Sequence, residues 1–254
     1  MRAIYHTSRR WVPQPLRGPI GRALRDWPNR YVRQAGGTLW RELHSAYVTR
    51  HSARAFRALQ GRSGLQVNLG CGKDIRAGWV NIDLGAPTGR PPSGATGRPV
   101  FINHDLRLGL PLAAGSCRLI YSSHFFEHLP YKTGLALMTE SYRALQPGGI
   151  FRISLPNLRR MFTAYLDNDA PYFALLDAPA VSPDVVPGTE TLVDFVNYGV
   201  YQFGEHHCIY DEEKLTRVLQ SLGFRSVRVS AYQAGLDPAE PVRTHYSFYM
   251  EAVK

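Results

Sequence analysis

Residues 65–83 read LQVNLGCGKDIRAGWVNID. Leu65 to Leu69 is a short apolar run, Gly70-Cys71-Gly72 follows at once, and Trp79 to Asp83 is a second short run ending on an acid. Such runs, bounded by glycine, predict strands entering tight loops. Glycine lets a ligand lie close to backbone, and open α/β sheets bind ligands beyond the carboxyl ends of their strands. A dinucleotide site would ask for a third glycine and for an acid about 20 residues further on. Position 75 is Ile75, and Asp83 follows Gly72 by only eleven residues. What remains is a glycine loop with Asp83 ending the second strand and Asp105 ending a third. Carboxylates so placed can accept ribose hydroxyls and an exocyclic amine, with no phosphate required.

Outward from this stretch, strands and helices alternate. Val100 to Leu106, Arg118 to Ser123 and Ile150 to Leu155 read as further strands. A helix carrying Leu135, Leu137, Met138, Tyr142 and Leu145 stops at Gln146-Pro147-Gly148-Gly149. A second helix carries Leu215, Val218, Leu219 and Leu222, and strands at Ser226–Ala231 and His245–Ala252 finish the chain. The pattern predicts an α/β fold, a mostly parallel sheet with helices on both faces. Upstream, Leu39, Leu43, Ala46, Tyr47, Ala53, Phe56 and Leu59 recur at helical spacing. Residues 1–37 are read as a basic leader and 38–254 as one domain. Within it, residues 85–99 are a Pro/Gly-rich loop, and the aromatic segment 158–204 is an insertion packed like a lid over the sheet edge.

The series VNLGCG (67–72), GWVNID (78–83), HDL (104–106), SSHFFEHLP (122–130), LQPGG (145–149) and RISLPNL (152–158) resembles the small class I methyltransferases of prokaryotes, of methyltransferase type 11. HHCIYDEEKLTRVLQSLGF (206–224) extends the likeness. The resemblance implies a Rossmann-like sheet of seven strands with an antiparallel final pair, and S-adenosylmethionine as cofactor. It implies that Gly70, Cys71 and Gly72 face the methionine part, that Asp83 holds the ribose, and that Asp105 with Leu106 holds the adenine. Ser123 and His124 would sit beside the sulfonium and the acceptor. The link from Gly72 to Asp83 is short for a parallel crossover, so its helix must be stunted.

Methyl transfer is an in-line displacement that depends on positioning, and an alcohol acceptor also gains from a general base. Candidates are His124, Glu127, His128, His206 and His207. His128 and His207 come first, because the resemblance places both segments over the acceptor side; His124 is third. The acceptor is expected to be a small molecule or glycan, methylated on oxygen or nitrogen. His124-x-x-Glu127-His128 also matches an inverted zinc-protease signature, a metallohydrolase reading. That motif needs a continuous helix, and Pro130 disfavours one, so no metal ligands are assigned.

The formal charge of +10 has one source. Residues 1–62 hold thirteen Arg, no Lys and two acids, Asp26 and Glu42, whereas the remainder is near neutral. A basic segment can meet nucleic acid or an anionic surface, which leaves open a binding protein with a vestigial cofactor fold. No apolar run approaches the ~18 residues of a membrane span. Three cysteines, Cys71, Cys117 and Cys208, without paired spacing argue for a reducing, cytoplasmic setting.

Overall fold

The central strands repeat one pattern: Val67-Asn68-Leu69, Val80-Asn81-Ile82, Ile120-Tyr121-Ser122, Phe151-Arg152-Ile153 and Met250-Glu251-Ala252. Strand side chains alternate between faces, so this pattern builds a sheet with one apolar and one polar side. The computed structural model describes residues 30–85, 87, 89–90, 96–174 and 191–254, and contains such a sheet. Its strands are β1 (Leu65–Leu69), β2 (Val80–Asp83), β3 (Val100–Asn103), β4 (Cys117–Ser123), β5 (Leu145–Pro156), β6 (Arg225–Ser230) and β7 (Ser247–Val253). They lie in the order β3-β2-β1-β4-β5-β7-β6. The first five are parallel, and β7 runs antiparallel to both β5 and β6. This is the expected Rossmann-like sheet with an antiparallel final pair. The order reverses between β1 and β4, which sets the switch point.

The helices are α1 (Arg30–Arg57), α2 (Tyr131–Ala144), α3 (Leu158–Leu166), α4 (Ala170–Ala174), α5 (Leu192–Tyr201), α6 (Glu212–Ser221) and α7 (Pro241–His245). The apolar side of the sheet receives Phe56 of α1, Leu137 and Met138 of α2, and Leu215 and Leu219 of α6. Each such side chain contributes about 1.5–3 kcal/mol when fully buried.

On the opposite side, strand register lines up one polar row. Asn81 lies beside Asn68, Asn68 beside Tyr121, Tyr121 beside Arg152, Arg152 beside Glu251, and Glu251 beside Arg228. Irregular chain and the short α7 cover it. Arg152 is fully buried, and all five of its N–H donors are met. Asp237 takes two, Glu251 one at 2.8 Å, Ser230 one at 3.0 Å and the Ala231 carbonyl one at 2.8 Å.

Residues 70–79 join β1 to β2 with no helix at all, beyond the stunting expected. Side chains from the polar row replace it. Asn68 donates to the Asp74 carbonyl at 2.7 Å. Asn81 accepts from the Arg76 amide at 2.8 Å and donates to its carbonyl at 3.0 Å. The Arg76 guanidinium pairs with Asp74 at 2.6 Å and stands 3.8 Å over the Tyr121 ring.

One other element departs from the sequence reading. Helix α1 is already formed at Arg30, the first described residue, ahead of the Leu39 where the helical spacing starts, and residues 1–29 of the basic leader lie outside the described residues. Its last turns bury Phe56, followed by Leu59, as the spacing predicts, but earlier it turns a different face inward: Leu39, Leu43 and Tyr47 are exposed, while Ser45, Val48 and Ser52 are buried. Hydroxyls select that face: Ser45 donates to Asp105, and Ser52 Oγ lies 2.9 Å from His104 Nδ1. In the aromatic insertion, the described helices α3, α4 and α5 share a small second core. Leu158, Met161, Tyr172 and Phe173 close there on Tyr246, next to the start of β7. Residues 175–190 lie outside the described part.

Replacing Arg152 with Met leaves Asp237 buried without its cation and Glu251 with Arg228 alone. Chemical denaturation is expected to show a loss of about 3–5 kcal/mol, the usual cost of breaking one side of a buried ion pair. An unchanged unfolding midpoint would show that the row does not hold residues 231–246 in place.

Candidate active site

The switch point brings together the loops after β1 and β4. Gly70 and Gly72 adopt φ of +62° and +50°, a left-handed conformation that favours glycine. The Gly70 and Cys71 amides both donate to the Ile82 carbonyl, at 2.9 and 3.2 Å. A Cβ at position 70 would lie 2.2 Å from the Phe125 ring. The missing side chain is thus what lets the β4 loop rest on the β1 loop. At Gly72 a Cβ would meet nothing within 4 Å, so that edge is open.

Asp83, ending β2, closes the glycine loop. The Gly72 amide donates to its Oδ2 at 2.6 Å and the Leu84 amide to its Oδ1 at 2.7 Å. Burial pushes this carboxyl up from its usual range, and the two amides pull against that. Each oxygen keeps a lone pair, because a carboxylate offers about four acceptor sites. Cys71 is buried, and burial raises its thiol far above the ordinary value, so it is no nucleophile.

Asp105 is engaged elsewhere. Its carboxylate accepts from Ser45 of α1, from the Arg107 amide at 2.9 Å and from the Arg107 guanidinium, which reaches on to Glu42 at 2.9 Å. Although burial acts the other way, these bonds hold Asp105 below the usual carboxylate range. They also fill its acceptor sites, so an amine arriving here would have to displace Arg107 or meet backbone. The Leu106 side chain is buried in the core.

At the end of β4, Ser123 accepts from the Ser154 hydroxyl at 2.8 Å. His124 takes a left-handed φ of 49°, rare for a residue with a Cβ, and its Nε2 lies 2.6 Å from Ser247 Oγ. A single tight turn, Phe126–His128, follows, and Leu129 is extended. Hence His124, Glu127 and His128 do not share a helix, and the inverted zinc-protease geometry is absent. Glu127 is buried, and among the described residues neither carboxylate oxygen has a hydrogen-bond partner; His124 Nδ1 stands 3.6 Å away. Burial raises Glu127 to about 8, opposed by the charge of Arg243.

The segment after α5 crosses this turn. The amides of His207 and Cys208 donate to the Glu127 carbonyl at 2.7 and 3.1 Å. His207 itself is exposed, whereas the His206 and His128 ring centroids meet edge-on at 4.8 Å. Burial lowers both of those imidazoles, His206 to about 4. The structure therefore gathers His124, Glu127, His128 and His206 with Ser247. His206 had ranked behind its neighbour because sequence does not say which of two adjacent histidines turns inward. Ser247 lies in no motif, and only the antiparallel return of β7 brings it here.

Residues 68–153, about a third of the chain, match the family model described as a methyltransferase domain. No curated protein matches the chain. Among solved structures, it is similar to a SAM-dependent methyltransferase from Archaeoglobus fulgidus, with 17% identity over 84% of this chain and 94% of that one and a TM-score of 0.46. A SAM-dependent methyltransferase from Mesorhizobium loti shares 19% identity over 79% and 96%, with a TM-score of 0.43. A possible histamine N-methyltransferase from Thermotoga maritima shares 14% over 87% and 95%, with a TM-score of 0.42. Structural likeness at that level carries no argument. The family match and the ordered motifs do: residues 68–153 are a class I methyltransferase domain whose cofactor is S-adenosylmethionine.

The contact of Gly70 with Phe125 can be tested by a double-mutant cycle. Gly70→Ala is expected to abolish S-adenosylhomocysteine binding in calorimetric titration. Adding Phe125→Gly, which removes both the ring and the Cβ that would lie 2.7 Å away, should restore part of it by relieving the clash, though not the backbone strain. Full binding by Gly70→Ala alone would show that the loop is not built on this contact.

Proposed function

We propose that the chain transfers the methyl group of S-adenosylmethionine to an oxygen or nitrogen of a small molecule or glycan. The observation that carries this reading is the meeting, at one switch point, of a glycine loop closed on the Asp83 carboxylate with a histidine-rich turn ending β4. The residues suit the cofactor. Gly70, Cys71 and Gly72 offer backbone without bulk, and the free lone pairs of Asp83 suit a ribose diol. Asp105 and Leu106 flank the adenine end, with Arg107 already neutralising the carboxylate, so backbone is the more accessible partner there. Ser123 and His124 border the sulfonium.

The bound cofactor supplies an electrophilic methyl group, and the protein's part is to align an acceptor with it and exclude water. His128, His207 and His124 are the candidates to take an acceptor proton. His128 is well prepared: its Nδ1 lies 3.2 Å from the Glu205 carbonyl, which can only accept, so the proton sits on Nδ1 and Nε2 keeps its lone pair. Among the described residues no helix is long and apolar enough to cross a membrane. With three free cysteines, a reducing cytoplasm suits the chain. The Arg-rich residues 1–62 remain available for nucleic acid or an anionic surface, a role separable from catalysis.

Calorimetric titration with S-adenosylhomocysteine tests the reading. Micromolar binding is expected, weakened about tenfold or more in Asp83→Asn, which loses charge-assisted hydrogen bonds worth roughly 1.5–3 kcal/mol. A chain lacking residues 1–29 should bind equally well and still transfer label from methyl-labelled cofactor to a small acceptor. If the folded full-length protein ignored the nucleoside, the reading would fail and the basic segment would carry the function.

A further inference from the structure

Glu127 poses a problem that methyl transfer does not solve. It is 3% exposed, and among the described residues neither carboxylate oxygen has a hydrogen-bond partner. A buried polar group without a partner is costly, and in native proteins it calls for an unseen water or ion. Two imidazoles face it. Donor atoms of Glu127, His128 and His206 all lie within 4.8 Å of one another. Around a tetrahedral cation with bonds of ~2.0–2.2 Å the donors would stand roughly 3.4 Å apart, so small side-chain rotations close the set.

The outer partners are those a metal site requires. His128 Nδ1 lies 3.2 Å from the Glu205 carbonyl and His206 Nδ1 lies 2.9 Å from the Gly199 carbonyl. A carbonyl only accepts, so each ring carries its proton on Nδ1 and presents an Nε2 lone pair. A second-shell N–H bond to a backbone carbonyl is the usual way a protein orients a ligating histidine. His124 Nδ1 stands 3.6 Å from Glu127 Oε1, beyond hydrogen-bond distance, and so leaves that oxygen free for a cation.

We propose that Glu127, His128 and His206 form a binding site for a divalent transition-metal ion beside the acceptor end of the cofactor crevice. Two imidazoles and one carboxylate make a borderline donor set, suited to zinc, cobalt or ferrous iron rather than magnesium or calcium. Three protein ligands leave coordination positions open. If the methyl-transfer reading holds, on which this last step rests, the open positions take an acceptor hydroxyl. Ligation lowers the hydroxyl's pKa, so its proton leaves to solvent before the oxygen takes the methyl group and the thioether departs as S-adenosylhomocysteine. His128 is then a ligand rather than the base it would be in a metal-free site, and acceptors with oxygen donors are favoured over amines.

The test uses full-length protein treated with chelator and titrated with cobalt(II), followed by its visible d–d absorption. One equivalent is expected to bind with a spectrum that includes imidazole ligation. Glu127→Gln and His206→Ala should each weaken binding at least tenfold, while S-adenosylhomocysteine affinity of the metal-free protein stays within about twofold. Cobalt binding that both variants leave unchanged, or no cobalt binding by the folded protein, would overturn the site. Because His206 is only partly buried, His206→Ala should fold even if Glu127→Gln does not. Loss of nucleoside binding in the unmutated metal-free protein would count against the cofactor reading, not against the cation site.

Discussion

The row from Asn81 through Asn68, Tyr121 and Arg152 to Glu251 is the constraint on which the molecule turns. A mostly parallel sheet usually buries two apolar faces under helices. Here one face is polar, and its groups cannot be left dry and unpaired. Irregular chain meets most of them: Asn68 and Asn81 pair with residues 74–76 and Arg152 with Asp237, while the Arg76 guanidinium covers the Tyr121 ring. The row therefore decides which segments lie on that face and in what conformation.

The site inherits its shape from this arrangement. Because Asn81 and Asn68 hold residues 74–76, the connection from β1 to β2 closes without a helix, and Gly72 is delivered to the Asp83 carboxylate at 2.6 Å. On the other side of the switch point, Gly70 receives the Phe125 ring directly. The glycine loop is thus held between a strand-end acid and the β4 turn. Arg152 in turn anchors residues 231–237, which precede α7 and β7, and the start of β7 presents Ser247 to His124. Stability and site geometry draw on the same polar contacts.

The histidine-rich turn follows a different logic. Glu127 is buried and His124, His128 and His206 are half-buried, and desolvation moves Glu127 toward its neutral form and His128 and His206 toward theirs. A mutually neutral cluster is the cheapest state for such groups in a low-dielectric pocket. It is also a state of readiness, since neutral imidazoles offer lone pairs to a proton or a cation.

The sequence by itself determined the strand set, the switch-point glycines and Asp83, because these depend on local properties: period-two hydrophobicity, positive φ and the end of a strand. The helices α2 and α6 were equally legible, their apolar spacing being unopposed by any other demand, whereas the antiparallel sense of the final strand pair came with the family resemblance. Tertiary structure alone decided the inward face of α1, where Ser45 and Ser52 prevailed over the apolar stripe Leu39, Leu43 and Tyr47. It decided that Asp105 binds Arg107, and that His206 rather than His207 turns toward His128. Each of these outcomes depends on pairing polar groups far apart in the chain, and the spacing of residues along one strand or helix carries no record of such partners.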